Sequence, residues 1–185
     1  MKVYFGTSPR NKEKYPELIL RIFDLISKFG LEHTSGWVKT VTAERFYKMT
    51  EEETKDHFNK TEKAIKKADI CIFEASSVSM SVGFLTSQVL TLGKPVIVLS
   101  QNQDSLFIFR SVKSKQIITL IYNEENLEVK LKEAIDKAVS SINLRFNLFI
   151  PRNLMAYLDW ATKDVGVNKS EYIRMLIEKE VKKKK

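Results

Sequence analysis

The sequence predicts an α/β domain with a parallel sheet over residues 1–142, followed by a second domain over residues 143–185. Two observations support this division. Over the first 142 residues, apolar runs of strand length alternate with helices, which is typical of a parallel sheet covered by helices. After Asn143, the pattern changes to one short strand with alternating apolar residues, followed by two amphipathic helices.

Five strands are predicted in the first domain. They cover Lys2–Thr7, about Glu32–Val38, Asp69–Glu74, Lys94–Ser100 and Gln116–Tyr122. The third and fourth are continuously apolar, which indicates cover on both faces, as in a parallel sheet.

The helices between these strands show apolar residues at a period of 3.6 and have recognisable ends. They cover about Leu18–Phe29, Thr50–Lys67, Ser79–Leu92 and Leu127–Ile142, and a turn is predicted at Ser8–Asn11. Thr50 and Glu53 have the spacing of a capping box. Gly30 and Gly93 follow two of the helices, where glycine readily takes the left-handed conformation that ends a helix.

The second domain begins with a predicted strand at Arg145–Ile150, in which Phe146, Leu148 and Ile150 share one face. Pro151 ends the strand and can open a helix that runs to about Asp164. Leu154, Leu158 and Ala161 are predicted to face inward on this helix. Gly166 breaks the chain before a second helix from about Lys169, whose apolar face carries Ile173, Leu176, Ile177 and Val181.

Basic residues are concentrated in the second domain. The chain has a net charge of +8, and residues 143–185 hold ten Lys or Arg against five Asp or Glu. This excess suits a polyanionic partner, although the four terminal lysines also fit a solvated tail. The single cysteine, Cys71, excludes a disulfide framework. With no apolar run of membrane length and no signal-peptide pattern, we expect a cytoplasmic protein without membrane contact.

One strand and two helices in about forty residues are too few to bury a core alone, whereas two copies can pair their strands over four helices. This arrangement resembles the ribbon-helix-helix fold of the MetJ- and Arc-type repressors. The resemblance covers residues 143–182 and includes the turn Gly166–Glu171. It implies a homodimer, with a tetramer left open, and DNA as a partner.

The same resemblance assigns DNA contacts. Arg145, Asn147 and Phe149, on the outward face of the strand, would face base edges in the major groove. Lys169 and Ser170, at the start of the second helix, would hold a phosphate. The alternative is that this domain only dimerises the protein.

The first domain resembles the nucleoside 2-deoxyribosyltransferases and the deoxynucleoside 5′-monophosphate N-glycosidases. The resemblance rests on Lys2–Ser8, Ala68–Glu74, Ser79–Phe84 and the later Lys-Pro-Val motif at residues 94–96. It implies a Rossmann-like (flavodoxin-like) parallel sheet that binds a nucleotide or nucleoside-like molecule beyond the carboxyl ends of its strands. The predicted binding residues are Gly6, Thr7, Ser8, Glu74, Ser79, Ser81 and Gly83. The alternative for these residues is ordinary turn and cap chemistry.

Two carboxylates of the family pattern are missing. Leu85 stands where the family has its nucleophilic glutamate, and leucine cannot form a covalent intermediate. Thr61 stands in place of an aspartate. Glu74 is the remaining candidate if the protein is an enzyme, but it lacks an identifiable acid partner. His33 and His57 lack metal-ligand spacing, and neither a metal nor a cofactor is expected.

Three functions follow from these observations. The first is a nucleotide- or nucleoside-sensing DNA-binding protein, a transcriptional regulator. The second is an N-glycosidase or deoxyribosyltransferase that the second domain merely oligomerises. The third is a scaffold that binds neither a small molecule nor DNA.

Overall fold

The computed structural model describes residues 1–142 and 148–183. The chain divides into two compact units, Met1–Asn143 and Leu144–Lys185. Unit 1 contains a five-stranded sheet made of β1 (Lys2–Thr7), β2 (Glu32–His33), β3 (Ile70–Glu74), β4 (Val96–Ser100) and β5 (Ile117–Ile121). All neighbouring strands are parallel and their order is β2-β1-β3-β4-β5. This is the order of flavodoxin-like, Rossmann-type doubly wound sheets.

Helices cover both faces of this sheet. In chain order they are α1 (Pro9–Lys14), α2 (Pro16–Lys28), α3 (Trp37–Thr40), α4 (Ala43–Tyr47), α5 (Glu51–Lys67), α6 (Met80–Thr91), α7 (Phe107–Ser111) and α8 (Leu127–Ser140). Helices α2 and α8 bury their apolar stripes against one face, beside Val3, Phe5 and Ile72. Helices α5 and α6 cover the other face, beside Tyr4 and Phe73. The parallel α/β architecture predicted for this part of the chain is therefore confirmed.

The local signals for helix ends are also confirmed. Thr50 and Glu53 form a complete capping box at the start of α5. Gly30 and Gly93 have φ angles of 81° and 70°, the left-handed conformation expected after a helix.

Two predictions in unit 1 are wrong. The predicted turn at Ser8–Asn11 is the start of helix α1, because the Ser8 hydroxyl accepts a hydrogen bond from the Asn11 N–H and Pro9 occupies the first helical position. The predicted strand at Glu32–Val38 is confined to β2, because the chain turns at Ser35 and Gly36 into α3.

Unit 2 contains two helices, α9 (Arg152–Val165) and α10 (Lys169–Lys183), separated by Gly166 at a φ of 73°. Leu148–Ile150 does not form a strand in the single chain, and the rest of the predicted strand, Arg145–Asn147, lies outside the described residues.

Within residues 148–183, Leu158 and Ala161 are the buried apolar residues. Leu154 was predicted to face inward and is instead 53% exposed. The reason is that two helices from one chain provide too few partners to cover the whole apolar stripe of α9.

Candidate ligand-binding site

The sheet changes its winding direction between β1 and β3, since the chain passes from β1 to β2 on one side and then to β3 on the other. Ligands of open parallel sheets bind at this switch point. A cavity of about 130 Å³ lies here, between residues of β1 and β3 and the helices α5 and α6. We call it the aromatic cavity, because its walls include the rings of Tyr4, Trp37, Phe46, His57, Phe58, Phe73 and Phe84.

These rings contact one another edge to face or tilted. The ring centroid of His57 lies 5.6 Å from that of Trp37 and 5.4 Å from that of Phe46, both at 83°. Phe58 and Phe84 lie 6.1 Å apart. These separations fall within the range of favourable aromatic pairs, so contacts between the rings stabilise the walls of the cavity.

Helix α5 supplies one wall of the aromatic cavity. Thr54, His57, Phe58 and Thr61 all line it, and their spacing places them on one face of a helix with 3.6 residues per turn. The other residues of this helix are mostly charged. The side chains of α5 that reach the cavity are therefore those on its one apolar and weakly polar face, and the charged side chains point elsewhere.

Gly6 leaves room for two of the aromatic rings that line the cavity. A Cβ atom at this position would lie 2.9 Å from Cε1 of Tyr4 and 3.2 Å from Cε1 of Phe73. Real Cβ atoms rarely tolerate such distances, so the backbone of β1 can pack against these rings because residue 6 has no side chain.

The polar groups of the aromatic cavity are neutral. Burial raises the pKa of Tyr4 to about 12, and burial lowers the pKa of His57 below its ordinary value. Thr61 is buried and contributes a hydroxyl. The buried indole N–H of Trp37 lies close to the Tyr4 hydroxyl but forms no well-aligned hydrogen bond among the described residues. The cavity therefore combines apolar surface with a few groups able to donate or accept a hydrogen bond.

A second and more open space lies on the other side of Val82 and Phe84, which line both. We call it the groove. It has a volume of about 720 Å³, and its walls include Ser79, Gly83 and Ile108.

The structure does not bring the seven predicted binding residues of unit 1 together in one place. Thr7 and Ser81 line the aromatic cavity, whereas Ser79 and Gly83 line the groove. The hydroxyl oxygens of Ser79 and Ser81 lie 2.9 Å apart at the start of α6, where Ser79 also accepts a hydrogen bond from the Val82 N–H. Gly6 is buried in β1 and Ser8 caps α1.

Glu74 lies on the opposite face of the sheet from the aromatic cavity. It shares its face with Ile70 and Ile72, which pack against α2 and α8. Its Oε1 accepts hydrogen bonds from the N–H and the hydroxyl of Ser76 and from the hydroxyl of Tyr122. Burial raises the pKa of this carboxyl.

The second oxygen of Glu74, Oε2, has no hydrogen-bond partner within the described part of the chain. Glu74 lines neither the aromatic cavity nor the groove. A carboxyl group that is held in this way satisfies a buried network and is not positioned to act on a molecule in the cavity.

The two positions at which the family resemblance expects carboxylates both reach the aromatic cavity. Thr61, on α5, and Leu85, on α6, line its walls from different helices. Neither residue has a group that ionises at neutral pH. The cavity is thus chemically inert at the positions where the resemblance would place a nucleophile and its partner.

In unit 2, the predicted DNA-contacting residues lie at the surface where they are described. Phe149 is 100% exposed. The ammonium of Lys169 lies 2.6 Å from the carboxylate of Asp159, and Ser170 is exposed in the first turn of α10. Arg145 and Asn147 lie outside the described residues.

The aromatic walls are the site residues that sequence reasoning missed. Tyr4 and Phe73 lie in apolar strands, where they look like ordinary core residues. A signal was available in α5, where Thr54, Phe58 and Thr61 follow a helical spacing among charged residues. Trp37 and Phe46 were not predictable, because they lie on the short helices α3 and α4.

Other kinds of site find little support in residues 1–142 and 148–183. No group of three or more His, Cys, Asp or Glu is placed to hold a metal ion there. None of the helices in these ranges combines the length and apolar character needed to cross a membrane. The Cys71 thiol is buried in β3, and burial raises its pKa to about 12, as expected for an inert thiol.

No family of known proteins matches this sequence, and no curated protein is detectably similar to it.

Proposed function

We propose that this chain is a nucleotide- or nucleoside-sensing DNA-binding protein, in which unit 1 binds the small molecule without altering it and unit 2 dimerises and binds DNA. The observation that carries the proposal is the aromatic cavity at the β1–β3 switch point. It has the rings that stack on a base, together with Thr61 and Leu85 at the positions where an enzyme of the resembled family has carboxylates.

Dimerisation is supported by the surface of unit 2. Helix α10 exposes Leu176, Ile177 and Val181, which share one face of the helix, each between 42% and 60%. Single exposed apolar residues are common, but a row of them on a helix whose unit has almost no core favours a partner surface. A second copy of the same unit supplies one with the same row. This pairing is the one that a ribbon-helix-helix dimer requires.

DNA binding is supported by charge and by the surface groups of unit 2. Residues 143–185 carry a net charge of +5, with the acidic residues in the minority. The ion pair between Lys169 and Asp159 is exposed, so it adds little stability, and a DNA phosphate can compete for the lysine. In the proposed complex, Arg145 and Asn147 contact base edges while Lys169 and Ser170 contact the backbone.

An enzyme is the alternative. Hydrolysis or transfer of a base needs a nucleophile or an activated water beside the sugar. Glu74 is the candidate carboxylate, and it lies on the other face of the sheet. Release of free base from a nucleoside or its 5′-monophosphate by the purified protein would favour the enzyme over the sensor.

The proposal is tested by fluorescence anisotropy of the full chain with a labelled DNA fragment from upstream of its own coding sequence. A shuffled fragment of the same composition is the control. We expect a preference for the natural fragment and an affinity that falls steeply as salt rises, because phosphate contacts release counterions. Equal affinity for both fragments would contradict DNA recognition and leave unit 2 as a dimerisation device.

A further inference from the structure

We propose that the two copies of unit 1 in the dimer pair edge to edge through β5, so that two five-stranded sheets join into one continuous sheet. This pairing is an interface beyond the proposed function, and it rests on the part of that function in which unit 2 dimerises the chain. Three features of β5 support it: its open backbone, its lack of the usual protection of a sheet edge, and the symmetry of its sequence.

The outer backbone of β5 is open at alternate residues. In a parallel strand, the residues that bond to one neighbour alternate with those that point away from it. Gln116 and Tyr122, which flank β5, both bond to backbone groups of β4, so the even-numbered residues of this stretch face β4. The N–H and C=O groups of Ile117, Thr119 and Ile121 therefore point outward, and no strand of the described residues pairs with them.

The contact of Lys130 with β5 agrees with this orientation. Its ammonium group, on α8, donates a hydrogen bond of 2.8 Å to the carbonyl of Ile121, which marks that carbonyl as lying on the outer edge. Lysine is a common guard of edge strands. A carbonyl oxygen has two lone pairs, so this one can also accept a hydrogen bond from the N–H of another strand.

The sequence of β5 lacks the other features that protect a sheet edge. Edge strands are usually short, or they are interrupted by Pro, bulges or charged residues. Strand β2, at the opposite edge, has only two residues. Strand β5 has five, Ile-Ile-Thr-Leu-Ile, with no charge, Pro or Gly. Its side chains are only half-buried, whereas those of β3 and β4 are buried. It therefore keeps both backbone groups and apolar surface available for another strand.

The symmetry of β5 favours a second copy of itself as the partner. Thr119 lies at its centre, with two apolar residues on each side. In an antiparallel pair centred on Thr119, Ile117 lies opposite Ile121 of the second copy. Ile118 likewise lies opposite Leu120. Apolar residues then oppose apolar residues on both faces and two threonines meet at the two-fold axis, all of which are favourable cross-strand pairs. The outward backbone groups are those of the residues that would exchange N–H···O bonds in this register.

The helices beside β5 add apolar surface near this edge. Helix α7 packs against β5 and exposes Phe107 and Ile108 by 72% and 71%. On α8, Val129 precedes Lys130 and is 61% exposed. A two-fold axis perpendicular to the sheet keeps the same face of the sheet on the same side in both copies, so α7 lies beside α7 and α8 beside α8. Apolar side chains that are exposed in one copy of unit 1 can then be covered by the other.

We expect this contact to form only inside the dimer that unit 2 holds together. Interfaces that hold two proteins together by themselves bury about 1,200–2,000 Å², and an isolated pair of short strands is marginal in water. Linked sites meet at an effective concentration in the roughly millimolar range. Unit 2 therefore supplies the association and β5 fixes how the two copies of unit 1 pair. A chain whose unit 2 cannot dimerise should be monomeric, with β5 unpaired.

The first test is amide hydrogen exchange, followed by NMR, in the natural chain and in Ile177→Asp, which should be monomeric because its charge disrupts the apolar row of α10. Pairing predicts that the N–H groups of Ile117, Thr119 and Ile121 exchange at least about tenfold more slowly in the dimer, because hydrogen bonding protects amides. The inward N–H groups of the residues between them should exchange equally slowly in both chains. Lys179→Asp, a matched change at an exposed polar position, should behave like the natural chain.

The second test places charges at the two-fold axis. In Thr119→Lys and in Thr119→Glu, two like charges would lie directly opposite each other, which is unfavourable in an antiparallel pair. The outward amides of each variant should therefore exchange as fast as those of Ile177→Asp. Coexpression of the two variants should restore protection in the mixed dimer, where opposite charges meet. Thr119→Val keeps the shape without a charge and should keep the protection. Circular dichroism checks that each variant folds, and the first test decides if a charged variant does not.

The outcomes separate the β5 interface from the proposed function. A dimer in analytical ultracentrifugation whose outward amides exchange as fast as those of Ile177→Asp would overturn the β5 pairing and leave dimerisation through unit 2 intact. A natural chain that is monomeric would overturn both. Protection that Thr119→Lys and Thr119→Glu leave unchanged would mean that something other than a second β5 covers the edge, and a mixed dimer as unprotected as its parents would exclude the register centred on Thr119. Either result would overturn the pairing proposed.

Discussion

Tyr122 donates its hydroxyl hydrogen to Oε1 of Glu74 over 3.0 Å, and both side chains are buried at the carboxyl edge of the sheet. Burial raises the pKa of the Glu74 carboxyl more than the hydrogen bonds from Ser76 and Tyr122 lower it, so the fold stabilises Glu74 better as a neutral acid than as a carboxylate. The pair thus forms a buried network whose strength depends on protonation.

We expect Glu74→Gln to make stability less sensitive to pH. The pKa of Glu74 is raised in the folded state, so its stabilising contribution is complete below the unfolded pKa of about 4.3 and is lost as pH rises through the folded pKa. Glutamine mimics the protonated form at every pH. As pH rises, the stability of the variant relative to the natural protein, measured as the difference between their free energies of unfolding, should therefore increase.

The measurement is urea unfolding at about pH 5 and about pH 8, with the exposed Glu125→Gln as the control. A difference between Glu74→Gln and the natural protein that is the same at both pH values would contradict a raised pKa. Glu125→Gln should show no such trend, because its side chain is exposed.

Gly6→Ala should disrupt the aromatic cavity. The new Cβ would lie 2.9 Å from the Tyr4 ring and 3.2 Å from the Phe73 ring, and both rings are buried and cannot move freely. Overpacking of this kind costs about 1–3 kcal/mol. Urea unfolding should show that loss, and calorimetry should show loss of ligand binding.

Gly83→Ala is the matched control for Gly6→Ala. Gly83 lies in α6, and a Cβ there would meet no heavy atom within 4 Å. Alanine should stabilise the helix by about 0.5–1 kcal/mol. If both variants changed stability to the same extent and in the same direction, the close packing at Gly6 would not be the cause.

Ile177→Asp should dissociate the proposed dimer. Ile177 is 60% exposed on the apolar row of α10, so in a single chain its replacement would cost little. In a dimer it would bury an unpaired carboxylate, which is strongly unfavourable. Analytical ultracentrifugation should show a monomer for Ile177→Asp and a dimer for Lys179→Asp, a change at an exposed polar position. A dimer in both variants would contradict pairing through α10.

Arg145→Ala should weaken specific DNA binding by about 1–3 kcal/mol, the value of a side chain that reads a base edge. The dimer should remain intact. Arg21→Ala removes the same charge from an exposed position in unit 1 and should have no comparable effect. Anisotropy with the natural and shuffled fragments measures the loss. Dissociation of the dimer by Arg145→Ala would mean that the two faces of the proposed strand were assigned in reverse.

Much of the fold of unit 1 was predictable because strong local signals agree with the tertiary structure. The apolar runs at β3 and β4 are long enough to be recognised without knowledge of their partners. The edge strand β2 was predicted to be longer than it is. Its length is set by its pairing with β1 and by the turn at Gly36, and a hydrophobic pattern reveals neither.

The site was less predictable than the fold. Thr7 and Ser81, which line the aromatic cavity, lie at the end of a strand and in the first turn of a helix, positions that sequence patterns mark. Glu74 was placed at the correct end of β3, but the face to which its side chain points depends on strand register, and it lies away from the cavity. The aromatic walls come from six separate segments, and the sequence does not show that they converge.

The central claim is that a small molecule bound to unit 1 changes the affinity of unit 2 for DNA. It is tested most directly by anisotropy titrations of the full chain with its upstream DNA fragment, in the absence and presence of a saturating mixture of the common nucleosides and their 5′-monophosphates. A sensor predicts a change in DNA affinity of about 5–150-fold, the usual range of coupling between two sites. Superimposable titration curves, under conditions where calorimetry shows that the small molecule is bound, would contradict the account.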